Sequence, residues 1–344
     1  GPTVYDDSRW LNSSEKKTLF TEDKRYAGSV YDFIIKVIDE NKNKDGRLLH
    51  LYASHLSMLL GNYDSSLQHL EATRSNNLPA NVQMQIRVNT LLLNMHMNKL
   101  PLSAIEKELL SIVQIPDNKS GVYDFAIMKD QLILYCGRKL FEKGYKAKGL
   151  MLLSKTDRAM GELPVWVFKN AYHEIEEKAT PKEYDEIIAI INKKNKTPFE
   201  SFIAGGYIHS PANWYGDEHK KIWNSDELLD GKSRWYIRNN QLNEALATLQ
   251  QISGSYWEKE PYDDYITGDP FYVNINHPYE VFKGEKRYGK KEMIAEILRL
   301  QDLAKKDPSQ AALCYYKLGS AWLNMSYRGK NWLMVRRWWS VDDI

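Results

Sequence analysis

The stretch Ala312-Leu-Cys-Tyr-Tyr-Lys-Leu-Gly-Ser-Ala-Trp-Leu-Asn-Met325 constrains the fold of this chain more than any other. Apolar residues recur through it at three and four places, the spacing of a helix, yet Gly319 sits in its middle. A glycine inside a helix costs about 1 kcal/mol relative to alanine, so it predicts a point where a neighbouring helix crosses closely. Helices marked in this way belong in pairs.

The rest of the chain reads in the same terms. Ser29 to Ile38 is an amphipathic helix, Arg47 to Leu60 a second, and Gly61 turns the chain into a third that runs to Ala72, with Ser66 as its small crossing residue. Pro79 and Pro101 open helices reaching Met97 and Val113, since proline is tolerated where a first-turn amide has no partner. Asp124 to Glu142 and Tyr145 to Ser154 form a hairpin turned by Lys143-Gly144, with Gly149 at the crossing. Pro164 to Lys178 and Pro181 to Lys194 pair next. The pattern then breaks at Lys193–Lys196, Gly205-Gly206 and Ser210–Gly216, which divides the chain into residues 1–196 and 197–344. Helical order returns at Leu228 to Arg238 and Leu242 to Ile252, and again at Met293 to Lys305 and Ser309 to Met325, so that 217–252 and 289–340 are the helical parts of the second lobe. Between them, Ser253 to Tyr288 is an irregular aromatic-rich segment in which Phe271–Ile275 has the pattern of a short strand without a partner. The apolar run Asn331–Trp339 would be costly to leave in water and either caps the last hairpin or awaits a cover.

Tyr315, Leu318, Gly319 and Trp322, together with Gly61, Tyr63 and Ser66, resemble the large, aliphatic, small and aromatic spacing of the tetratricopeptide repeat. The likeness covers four hairpins, at about 47–78, 124–155, 226–252 and 312–325, without a uniform period. It implies an all-α fold, an α-solenoid of tetratricopeptide-like helical hairpins interrupted by the aromatic loops. It also implies a concave groove lined by first-helix residues: Tyr316, Ser320 and Asn324 in the last hairpin, Arg234, Ile237 and Arg238 in the one before, and Leu51, His55 and Met58 in the first. Arg234 and Arg238, one turn apart, would clamp a carboxylate; the alternative is that they form an ordinary solvated stripe or pair with Asp226, Glu227 and Asp230.

Composition narrows the function by exclusion. Lys and Arg number 47 against 45 Asp and Glu, a balance of +2 that gives no broad positive field for nucleic acid. No run of 18 apolar residues is present, so no transmembrane span is expected. Cys136 and Cys314 each lie in an apolar helical run and read as buried thiols, with one long-range disulfide as the alternative. The opening Gly1-Pro2 has the form of a protease scar, in which case a native signal or lipid anchor could have been removed.

Nucleotide loops, the serine-hydrolase elbow and the zinc-protease helix are all missing from the sequence, and no cofactor is expected. His209 with Asp217, Glu218 and His219 is too loosely spaced for a metal site. The carboxylate pairs Asp217-Glu218, Glu258 with Glu260, and Asp263-Asp264 lie in aromatic loops, where a glycosidase would need two acids several ångströms apart; acidic loop residues are usually just solvated. The expected function is therefore a non-enzymatic scaffold binding a protein or peptide within a larger assembly. The alternative is a glycan-binding protein of a bacterial cell envelope, similar to helical surface lipoproteins, with Trp214, Tyr215, Trp257, Tyr262 and Tyr265 against an oligosaccharide. That reading slightly favours the envelope over the cytoplasm.

Overall fold

A computed structural model describes residues 28–41, 45–73, 78–115, 123–155, 171–205, 223–258, 269–272, 288–326, 329 and 331–336. Fourteen α-helices occur among them and no strand, so the protein is all-α. They are α1 (residues 28–40), α2 (Arg47–Leu59), α3 (Tyr63–Ala72), α4 (Ala80–His96), α5 (Leu102–Val113), α6 (Tyr123–Glu142) and α7 (Lys146–Leu153), followed by α8 (Ala171–Lys178), α9 (Pro181–Asn192), α10 (Pro198–Ile203), α11 (Ser225–Arg238), α12 (Leu242–Leu249), α13 (Lys290–Lys306) and α14 (Ala311–Met325). The chain divides into two compact units, residues 1–132 and 133–344. None of the described helices is long and apolar enough to cross a membrane.

Four helix pairs close with the same turn. Gly61, Asn98, Gly144 and Asn240 all take positive φ, between 53° and 90°, just after α2, α4, α6 and α11. In each case the next amide reaches back to a carbonyl in the last helical turn: Asn62 to Ser57, Lys99 to Asn94, Tyr145 to Leu140 and Gln241 to Tyr236, at 2.8–3.1 Å. These bonds satisfy carbonyls that a helix end leaves open. Glycine takes the left-handed backbone without a Cβ penalty, and asparagine is among the few other residues that tolerate it.

In residues 1–132, α2 and α3 meet through small side chains. Ser54 and Ser66 are fully buried, the Ser66 hydroxyl donating to the Ser54 carbonyl at 2.7 Å and lying 3.1 Å from the Ser54 hydroxyl. Leu51, Leu70 and Leu93 then close a core of α2, α3 and α4, with Tyr63, Leu67 and Ile86 packed on it.

In residues 133–344, slim residues again set the close approaches. A Cβ on Gly149 of α7 would stand 2.7 Å from the Gly137 carbonyl oxygen and from the Phe141 amide nitrogen of α6. Gly231 of α11 lies under the Tyr184 ring of α9, 2.8 Å from where a Cβ would be to the phenol oxygen. A core of Ile237, Leu249, Met293, Ile297, Leu300, Cys314, Leu318 and Met325 joins α11 to α14. Cys136 and Cys314 are both buried and neither is in a disulfide. The apolar run after α14 does cap it over the described part, since Leu333 and Met334 enter the same core.

Three findings differ from expectation. Gly319 is no crossing point: it is exposed and a Cβ there would meet nothing within 4 Å. Helix α14 buries Cys314, Leu318, Ala321 and Met325 instead, an equally regular three-and-four stripe, which turns Tyr315 and Trp322 outward. Second, α10 fills part of what the sequence presents as a break. Thr197 starts it with a capping box, the Glu200 amide donating to Thr197 Oγ1 at 3.1 Å and the Thr197 amide to Glu200 Oε2 at 2.8 Å. Third, Lys290 begins α13 three residues before the expected Met293. Residues 217–222, 259–268 and 273–287 of the aromatic loops lie outside the described residues, as do Gly206–Gly216 and most of Phe271–Ile275.

Candidate functional site

Helix α11 begins at Asn224, whose side chain accepts from the Asp226 amide at 2.9 Å, and its first turn carries Asp226 and Glu227, the charge its N-terminus favours. Asp230, Arg234 and Arg238 follow at four-residue intervals and so share one face. That face is turned into the protein. Arg234 pairs with Asp230 on its own helix and forks onto Glu176 of α8, Nε to Oε1 at 3.0 Å and Nη2 to Oε2 at 2.9 Å. Arg238 donates to Glu176 at 3.1 Å and to the Val335 carbonyl at 2.6 Å. Lys290 reaches the other Asp230 oxygen at 2.7 Å and lies 5.7 Å from the centre of the Trp257 ring. The Tyr256 hydroxyl completes the set, 3.0 Å from Glu227 and 3.4 Å from Asp230.

Asp230 and Lys290 have no exposed side-chain surface and Arg234 has 1 %. Charges this deep are stable only when paired and hydrogen-bonded. Burial works to raise the Glu176 pKa, but Arg234 and Arg238 outweigh it and hold the carboxyl below its ordinary value. Burial pushes Lys290 down to about 8, against the opposing pull of Asp230. The same burial pushes the Tyr184 phenol up. The arrangement joins α8, α11, the 3-10 turn at Gly254–Tyr256, α13 and the segment around Val335. Chemically it is a brace, with its cationic donors directed at protein acceptors.

A second surface faces solvent. On α14, Leu313 is 56 % exposed, Tyr315 61 %, Tyr316 57 %, Leu323 54 % and Trp322 36 %. Tyr315, Tyr316, Trp322 and Leu323 flank Gly319, and Leu313 stands one turn before Tyr316, so the outer face of the helix is aromatic and aliphatic around a bare strip of backbone. Asn324, buried at the far end, donates to the carbonyls of Pro270 at 2.8 Å and Tyr272 at 3.0 Å, which fastens that segment to α14; the Tyr272 side chain is itself exposed.

The residues expected in a groove are thus distributed unevenly. Arg234 and Arg238 lie in the brace, with Arg238 half-exposed; Arg234 makes the alternative pairing with Asp230. Tyr316 belongs to the open face, while Ser320 and Asn324 are buried beside it, the Ser320 hydroxyl donating to the Tyr316 carbonyl at 3.0 Å. His55 lies in residues 1–132, half-buried, with its Nδ1 enclosed and lacking a hydrogen-bond partner; burial holds its pKa below the ordinary histidine value. Trp257 packs edge-on against Tyr256. Trp214, Tyr215, Tyr262 and Tyr265 lie outside the described residues, as do His209, Asp217, Glu218, His219, Glu260, Asp263 and Asp264. Glu176 and Lys290 escaped the sequence reading, because nothing local marks a partner so distant in the chain; the exposed Tyr315 and Trp322 were hidden by the double apolar face of α14. Comparison with protein-family models, with curated proteins and with solved structures gives no match.

Proposed function

We propose that the chain is a non-enzymatic helical-repeat scaffold whose hairpins stack as an α-solenoid within each unit, and that it holds a protein partner against the outer face of α14. The observation that carries this reading is the run of five large apolar side chains left in water on that helix, around a glycine with open space above it. Contiguous apolar patches of this kind mark interaction surfaces, and tyrosine and tryptophan are the residues interfaces favour. The occupant that fits is an amphipathic helix laid along α14, because Gly319 lets a second backbone approach closely and Tyr315, Tyr316 and Trp322 supply the walls. The four identical turns support the repeat reading, since each closes a helix pair in the same way. They also support the tetratricopeptide resemblance.

A photo-reactive side chain placed at Tyr316, compared with one at the exposed Lys36 of α1, tests the assignment. Cross-linked protein adducts at 316, lost when Leu313 and Leu323 are changed to Asp, are expected. The purified adduct partner should then bind the Leu313→Asp, Leu323→Asp chain at least tenfold more weakly, the scale of losing one hot-spot contact. Adducts equal at both positions, or unchanged by the aspartates, would remove α14 from the interface.

A further inference from the structure

His50 of α2 and His69 of α3 point their Nδ1 atoms at each other across the hairpin, 3.1 Å apart, with ring centroids at 5.3 Å and planes inclined by 37°. The Tyr31 hydroxyl of α1 lies 3.3 Å from the other nitrogen of His69, Nε2. We propose that His50 and His69 form a two-imidazole chelate for a zinc-class divalent transition-metal ion.

The geometry carries this in three ways. Two nitrogens each about 2.05 Å from one tetrahedral metal stand about 3.3 Å apart, close to the separation found, so both Nδ1 lone pairs reach one ion after a small rotation of either ring. Tyr31 faces Nε2 of His69, the position that must carry the proton when Nδ1 binds metal; such an outer partner fixes the tautomer and the ring. The scaffold between the two histidines is also preset, by the left-handed Gly61 turn and by the buried Ser54–Ser66 contact one turn further along.

Without metal, one Nδ1 must donate to the other. With Nε2–H of His69 directed at Tyr31, the donor is His50. On metal binding the His50 proton passes through solvent to its own Nε2, both rings stay neutral, and both lone pairs become ligands. Among the described residues no three His, Cys, Asp or Glu side chains converge on one point, so water fills the remaining coordination positions. Both rings are half-buried, which leaves room for it. Open positions and imidazole donors suit zinc, copper or nickel and disfavour magnesium and calcium, which take oxygen ligands.

Isothermal titration of the whole chain with zinc chloride near pH 7.5 tests the site, with circular dichroism confirming that each variant is folded. His50→Gln and His69→Gln should each abolish the same binding event or weaken it at least tenfold, and Tyr31→Phe should weaken it about tenfold. On the unmodified chain, nitrogen-15 imidazole spectra should show the His50 and His69 Nδ1 signals moving together on zinc addition. That measurement does not depend on how well a variant folds. Isotherms equal for wild type and both glutamine variants, or His50 and His69 signals that stay in place while zinc is added, overturn the proposal.

Discussion

Replacing Asp230 by Asn removes one negative charge from the brace while keeping its shape, so the cost can be worked out from the partners left behind. Arg234 cannot lose its proton and gives up its Asp230 partner while keeping Glu176; a hydrogen bond to a charged group is worth about 1.5–3 kcal/mol. Lys290 can escape by deprotonating. Its pKa is already pushed down to about 8, so becoming neutral at pH 7 adds only about 1 kcal/mol, on the order of one pKa unit. Together these give about 3–4 kcal/mol, within the range for breaking a buried ion pair by removing one member. For a unit of this size that is a fall in melting temperature of roughly 6–16 °C. Intrinsic fluorescence during urea unfolding is a suitable assay, because eight of the ten tryptophans lie from Trp214 onward. The Lys290 share should vanish near pH 9.5, where that amine is neutral in both proteins, and the penalty should shrink by about 1 kcal/mol. A loss below about 1 kcal/mol at pH 7, or a penalty that grows with pH, would refute the account of a charge-paired core.

Two glycines should respond in opposite ways. Gly149→Ala drives a methyl into the α6 backbone and should cost about 1–3 kcal/mol by chemical denaturation, whereas Gly319→Ala adds a methyl in open space and should stabilise α14 by up to about 1 kcal/mol; equal effects would contradict the packing described. Lys290 should also impose a pH dependence. Its folded pKa lies below its unfolded value, so the unfolded chain binds the extra proton between about pH 8 and 10.5 and stability rises with pH there. The stability of wild type relative to Lys290→Met should therefore improve by about 2 kcal/mol between pH 7.5 and 9.5, and a flat difference would exclude the shifted amine.

What the sequence made legible was local. The Gly61 and Gly144 turns, the Ser66 and Gly149 contacts and the helix boundaries near Pro79, Pro101 and Pro181 all depend on residues within a turn or two of each other. Helix α10 was equally local and still missed, although Thr197-Pro-Phe-Glu200 repeats the capping pattern of Thr180-Pro-Lys-Glu183. Gly319 misled because α14 is apolar on two faces, so periodicity could not say which one is buried; only the packing of α13 against Cys314 and Leu318 decides that. The partners of Arg234 were half visible. Asp230 stands one turn away, but Glu176 is 58 residues distant and Lys290 lies 60 from Asp230, separations at which topology alone makes neighbours.

Those separations bear on how the protein is made. Glu176 leaves the ribosome long before Val335, whose carbonyl receives Arg238 97 residues further down the chain than its donor. At roughly 5–20 residues per second, on the order of ten seconds passes between the first and last members of the charged set. Through that interval α11 displays Asp230 and Arg234, two ions suited only to an interior that does not yet exist, so the second unit cannot consolidate helix by helix as it emerges. Its final docking waits until Val335 has been added, and a nascent chain released before that point carries an unfinished interior into solution.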